Sequence, residues 1–413
     1  MIQKLPWQKK LLTTILFVIF LVLLTFGNYN FAINQPGGTD FLFRWKPTQL
    51  ILLEGFDSPY DPDALKQVRT LFRGENINEN EEIGGRFLYP YYVMAILAPF
   101  ALIQDYSVAR ALWMTFIEVA HISILLLTFV ILNYKQKKST FFLLILFSLT
   151  CSYFVQGLID GNPASIVALF ITLSIFFASK QKDGLAGIFL ALSTMKPQLA
   201  FLFFILMWLW AFSNRRWKII ISSSISLGAL IGGSFLLLPS WFEEFLKGIF
   251  LYPSVSNPNT PKKLIQVWFP IAAQWIAPII SLASVIILAW AWRGTWKKRF
   301  AYFFWASCLT FAILPLTGLV TAKSAFISML PAFILLIATI SDHWRKTVLL
   351  NLLILIVLVL SWTFFALSAT LDNYYISFID QLITPVILVF FLIKYKEEMI
   401  ARVSQGQIEK ETI

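Results

Sequence analysis

Charge is scarce in this sequence. Asp, Glu, Lys and Arg make up 13% of the 413 residues, about half the share of an ordinary soluble domain, while 58% of the chain is hydrophobic and its mean hydropathy is +0.74. No soluble core absorbs that much apolar surface, so a globular water-soluble fold is excluded. Cysteine is scarcer still. Cys151 and Cys308 both fall inside apolar runs, where a lone thiol behaves as a small buried hydrophobe, so neither a disulfide framework nor a metal cluster is indicated, and no cofactor is expected. A signal-peptide cleavage site is also missing, because the stretch 25–35 has no A-x-A pattern; the first apolar run is expected to remain in the mature chain. No internal repeat of the kind used by secondary transporters is apparent, because the first third carries a large insert that the rest lacks.

What the chain does have is a series of runs at or near spanning length. Residues 11–31 contain no charge over twenty-one positions, about 31 Å as a helix against a hydrocarbon core of about 30 Å. Further runs follow at 109–133, 140–157, 163–179, 184–213, 217–238, 264–292, 300–316, 324–341, 347–368 and 376–393. The run 184–213 is interrupted by Met195-Lys196-Pro197 and has polar flanks, so it reads as a hairpin of two short helices. The expectation is an all-α polytopic membrane protein, a single integral-membrane domain over 1–413 with about twelve transmembrane helices. A long first outer loop over 34–108 carries interfacial helices, and a second outer loop covers 239–263.

The net charge of +11 does not point to nucleic acid, because the basic residues lie in short clusters between apolar runs and not on one soluble face. With the N-terminus in the cytoplasm, the clusters at 1–10, 133–139, 179–183, 214–218, 293–299, 342–346 and 394–413 place 21 of the 33 Lys and Arg inside, as the positive-inside rule asks. Both termini are then cytoplasmic in a multi-pass plasma-membrane protein. This works only if 88–103, an apolar stretch of about sixteen residues bounded by Pro90 and Pro99, lies in the outer interface without crossing.

Polar residues that break this pattern are the candidates for chemistry. Gly37-Gly38-Thr39-Asp40 follows directly on the first span. A carboxylate there can act as a general base, or it can cap a helix beginning at Phe41. Glu118 and His121, three apart within one run, share a helix face; they fit a proton path, or a mutually hydrogen-bonded pair facing the bundle interior.

Four further segments follow in order: Glu54-Gly55-Phe56-Asp57-Ser58-Pro59-Tyr60-Asp61-Pro62, Arg86-Phe87-Leu88-Tyr89-Pro90-Tyr91-Tyr92, Gly161-Asn162-Pro163, and Leu185-Ala186-Gly187 leading to Met195-Lys196-Pro197-Gln198. Together with the loop aspartate, this ordered set over residues 10–220 resembles the polyprenyl-phosphate-sugar-dependent glycosyltransferases of the GT-C class, nearest to the bacterial glycosyltransferase family 87. The chain departs from that family in having Tyr89-Pro90-Tyr91 where two prolines are frequent and Asn162 where glutamine is common, differences that bear on the donor sugar. Beyond Trp241 the likeness is one of hydropathy profile.

The resemblance implies inverting transfer of a hexose such as mannose from a polyprenyl-phosphate donor to a lipid or glycan acceptor, with Asp40 matching the family's catalytic base. It also implies substrate contacts at Tyr60, Tyr89, Asn162 and Gln198. An anionic leaving phosphate calls for fixed positive charge near the headgroups. Lys196 fits best because it interrupts an apolar run, although a lysine snorkelling from a helix end would look the same; Arg44, Arg86 and Lys323 are weaker alternatives. Glu243, in the second outer loop with Glu244, Asn257 and Asn259, is placed to meet sugar hydroxyls. The competing readings are a lipid-linked-sugar flippase or other transporter, and a membrane scaffold.

Overall fold

A computed structural model describes residues 7–35, 37–73, 86–256, 260–320, 322–343, 347–370, 376 and 379–411. Among these residues the chain is helical throughout and has no strand, as expected of a backbone that must satisfy its own N–H and C=O groups in hydrocarbon. Helix α1 (Trp7–Asn34) turns most of its Leu, Ile and Phe side chains outward. The segment beyond it folds as α2 (Thr39–Glu54), α3 (Pro62–Arg73), and a 3-10 turn at Tyr91–Val93 running into α4 (Met94–Ala101). The apolar helix Tyr91–Ala101 has eleven residues, about 16 Å, too short to cross a bilayer. Its backbone receives α2: the Trp45 indole donates to the Phe100 carbonyl at 2.9 Å, and the Gln49 amide to those of Ala101 and Ile103 at 3.4 and 3.3 Å.

Helix α5 (Tyr106–Leu132) starts at Asp105, whose carboxylate accepts from the Val108 N–H at 2.9 Å, a normal N-cap. Asn28 of α1 donates to Thr115 and to Glu118 of α5, at 3.1 and 2.7 Å. His121 instead hydrogen-bonds Ser165 at 2.8 Å. The expected mutual Glu118–His121 pair is therefore corrected: both residues face the bundle, but α5 is flanked by different helices, and each side chain finds its partner on its own neighbour.

The next pair, α6 (Lys138–Thr150) and α7 (Ser152–Asp160), is bent by 45° at Cys151. Then come α8 (Ala164–Ser179), α9 (Asp183–Ser193), α10 (Pro197–Ser213) and α11 (Trp217–Leu237). The run 184–213 thus forms two helices, with Pro197 at the first turn of the second, where its missing N–H costs nothing. Gly187 lets α9 and α11 touch, because a Cβ there would lie 1.9 Å from Ser222 Oγ and 2.5 Å from the Ile219 carbonyl.

The chain continues as α12 (Trp241–Ser256), α13 (Pro261–Trp268), α14 (Ala273–Arg293), α15 (Phe300–Ile313), α16 (Leu330–His343), α17 (Thr347–Thr370), α18 (Thr384–Lys394) and α19 (Lys396–Glu411). The apolar run 264–292 divides at Phe269–Ala272: Pro270 lacks the N–H a continuous helix needs, and Thr260 caps the short α13 by accepting from the Lys263 N–H. Among the described residues seven helices are long and apolar enough to cross a membrane, or eight with the bent α6–α7 pair. Helices α8, α9 and α10, of 16, 11 and 17 residues, are shorter than the roughly 20 residues of a straight crossing. The chain is a polytopic α-helical membrane protein.

Candidate functional site

The site forms where the start of α2, the α7–α8 turn and the α9–α10 turn meet. Gly38, with φ 75°, is the N-cap of α2, and its carbonyl accepts from the N–H groups of Phe41 and Leu42 at 3.0 and 2.8 Å. Asp40 therefore lies inside the first helical turn and is not the cap. Its carboxylate instead reaches across the fold: Oδ2 accepts from Asn162 Nδ2 at 2.5 Å and Oδ1 from Arg44 Nη1 at 3.2 Å. Arg44 also donates to the Asp40 carbonyl and lays its guanidinium over the Tyr89 ring, 4.1 Å from the centroid, at cation–π range.

Asn162 has two jobs. While its amide nitrogen serves Asp40, its Oδ1 accepts from Lys196 Nζ at 2.9 Å and from the Ala164 N–H at 2.9 Å, an Asx turn that satisfies the first N–H of α8. One carboxamide thus bridges a carboxylate and an ammonium, and the last contact fixes which way it faces. Lys196 is buried in the α9–α10 turn. Burial pushes its pKa down to about 8, opposed by the negative charge of Asp40 and assisted by the positive charge of Arg44.

Tyr89 is buried beside Arg44, and burial pushes its phenol up to about 12, with Arg44 opposing; it stays a neutral hydroxyl. Tyr60 donates to the Tyr89 carbonyl at 2.7 Å. Asp40, Arg44, Tyr60, Tyr89, Asn162 and Lys196 are therefore brought together. Gln198 is exposed on the first turn of α10, Arg86 is half-buried at the start of the segment leading to Tyr89, and Glu243 is exposed and paired with Lys247 at 2.8 Å. Lys323 pairs instead with Asp380 at 2.6 Å. Asn257 and Asn259 lie outside the described residues.

Several residues that build the site were not among the sequence candidates. Arg110, 1% exposed, donates to the carbonyls of Gln35 and Ile159 at 2.7 and 3.0 Å, joining the turn before α2 to the end of α7. Tyr106 donates to the Gly37 and Gly38 carbonyls at 2.9 and 3.0 Å, and Tyr92 reaches both the carbonyl and the hydroxyl of Thr194 at 3.0 Å, two residues before Lys196. Asp160 ends α7 as a second carboxylate, close enough to Asp40 to feel its charge. Arg110 left a signal in the sequence as a cation at the edge of an apolar run, and Tyr92 as the last residue of the Arg86–Tyr92 segment.

Gly161 is the hinge of this arrangement. It sits at φ 69°, its carbonyl accepts from the Trp113 indole at 2.8 Å, and a Cβ there would fall 2.5 Å from Phe41 Cβ. Gly161→Ala is expected to cost about 1–3 kcal/mol and to push α2 away from the α7–α8 turn. The check is the thermal unfolding midpoint of the purified protein, and an unchanged midpoint would show that this contact does not hold the site.

The family model described as glycosyltransferase family 87 matches residues 87–315, a stretch that contains Tyr89, Asn162, Lys196, Gln198 and Glu243, with Asp40 and Arg44 before it. No curated protein and no solved structure matches the chain.

Proposed function

On the premise that this chain belongs to glycosyltransferase family 87, whose model spans more than half of it, and is a membrane glycosyltransferase, we propose that it moves a hexose, mannose first among them, from a polyprenyl-phosphate donor to an acceptor hydroxyl of a lipid or glycan. The observation that supports this most is the Asp40–Asn162–Lys196 chain of hydrogen bonds. It brings a carboxylate able to accept a proton and a cation able to meet phosphate to one side chain, the two kinds of group an inverting displacement needs: a base for the acceptor and a positive charge for the leaving group.

Asp40 takes the acceptor's proton as the new O–C1 bond forms, and the C1–O bond to phosphate breaks. The electron pair leaves with the lipid phosphate, whose charge Lys196 receives, with Arg44 and Arg86 as further cations for the donor phosphate. Tyr60 and Tyr89 line the sugar's approach, and Gln198 and Glu243 supply polar contacts at its rim. The test is incubation of purified protein with polyprenyl-phosphate mannose and candidate acceptors. A new glycosidic bond is expected, and donor movement across vesicles without one would favour a flippase and overturn this reading.

The reaction is proposed for the outer face of the plasma membrane, with both termini cytoplasmic. Cysteines at Lys137, Lys297 and Gln405 are expected to resist a membrane-impermeant thiol reagent in intact cells, and one at Glu79, outside the described residues, to react. Cys151 and Cys308 are buried, so the background is low. Labelling at position 137 would mean that 88–103 crosses the membrane.

A further inference from the structure

A cavity of about 1160 Å³ opens at the end of the bundle away from Asp40. Helix α8 begins beside Asn162 and ends at Ser179 on this cavity, so the two are separated by about 24 Å of helix. Its lining includes Lys180, Arg215, Arg216, Lys218, Lys298 and Arg299, from three different interhelical turns, against Asp183 as the one acid. Asp183 is already ion-paired with Arg216.

The walls are built, not merely charged. Arg216 donates to the Ala178 carbonyl at 2.8 Å and stands over the Trp210 ring at 4.8 Å. Trp210 donates to the Lys298 carbonyl at 3.1 Å, and the Lys297 N–H to Ser213 Oγ at 3.1 Å. The positive-inside rule explains basic residues on this face, but it does not ask them to surround one cavity.

Two further costs go unexplained by it. Gln181, Arg215 and Lys297 occupy the left-handed region at φ 56°, 56° and 54°, where glycine would sit without strain and a side chain does not. The N-cap positions of α11 and α15 are Arg216 and Arg299, with no side-chain cap and no acid in the first turn, so cations occupy the helix ends where the dipole favours an anion. An anion among these groups would offset both their mutual repulsion and the bare helix ends.

We propose that this cavity binds a phosphate-bearing anion, supplied by the headgroup of an anionic phospholipid. The lipid source follows from its rim: Trp217 lines the cavity and is half exposed, and its ring packs on exposed Phe212, which also meets exposed Trp296. Such a belt lies at headgroup level and opens the cavity sideways to the bilayer.

Native mass spectrometry of the full-length protein, titrated with phosphatidylglycerol, phosphatidylcholine or inorganic pyrophosphate, reads the occupancy. The Arg215→Gly/Lys218→Gln/Lys298→Gln variant, which also relieves the left-handed strain at 215, is expected to lose phosphatidylglycerol affinity by about tenfold or more while sugar transfer continues. Equal loss in Lys135→Gln/Lys137→Gln/Lys138→Gln, basic residues outside the cavity lining, would overturn the site in favour of diffuse attraction. No preference for phosphatidylglycerol over phosphatidylcholine would overturn it outright, and tight pyrophosphate binding without lipid would overturn the lipid source.

Discussion

Asp40→Asn is expected to lower the rate of sugar transfer by about 10²-fold or more while leaving donor binding and thermal stability nearly unchanged. The substitution keeps the side chain's shape. An asparagine oxygen at position 40 still accepts from Asn162 Nδ2, so the bridge to Lys196 survives, and the helix start is untouched because Gly38 supplies the cap. What is removed is the basicity that takes the acceptor's proton, together with the charge facing Arg44.

That separation makes the variant informative. If Asp40 served only to hold Asn162, the asparagine would do so too, and turnover would stay within about threefold of the parent. The base would then be sought at Asp57 or Asp61. Asp57 is exposed, and Asp61 accepts from the Asp63 N–H at 2.7 Å at the start of α3, so both are less well placed than a carboxylate already joined to a cation through one amide. Turnover of polyprenyl-phosphate mannose by the parent and variant, beside their unfolding midpoints, decides between them.

The order of short motifs along the chain was enough to single out Asp40, Asn162 and Lys196 separately, but not to show that one side chain joins the other two. Those contacts span 122 and 34 positions of sequence, and periodicity reports only neighbours within an element. The same limit hid Tyr92, Tyr106 and Arg110. They bond mainly to backbone carbonyls, and a carbonyl has no residue identity for a motif to record.

Hydropathy located the apolar runs yet merged α13 with α14 and α6 with α7, because it measures the transfer of side chains and is blind to a proline or a bend within a run. The i,i+3 spacing of Glu118 and His121 was read as a pair because it fixes a shared face, but not which helix stands opposite. Glu243 was read as a sugar contact from its place between apolar runs, and that reading could not show that it lies on a helix with Lys247 as its i,i+4 partner.

Lys196→Met is expected to weaken donor binding by at least tenfold, since a charge-assisted hydrogen bond to phosphate contributes about 1.5–3 kcal/mol. Unlike Asp40→Asn, which is expected to lower turnover and spare donor binding, it should lower both. Asn162 Oδ1 would lose the ammonium and keep only the Ala164 N–H, leaving the carboxamide less firmly aimed at Asp40. Methionine retains the length and apolar stem, so α9 and α10 keep their packing around Leu199 and Met195, both buried.

A second readout separates a phosphate-binding role from a purely structural one. With a pKa near 8, Lys196 is cationic below that pH and neutral above it, so the parent's donor KM should rise as pH passes through about 8. The methionine variant, with no proton to lose there, should show a high KM without that inflection, and Lys196→Arg, charged throughout, should also lack it. A parent profile flat across pH 7–9, or a methionine variant with the parent's donor KM and turnover, would remove Lys196 from the donor site and leave its hydrogen bond to Asn162 as a structural tie.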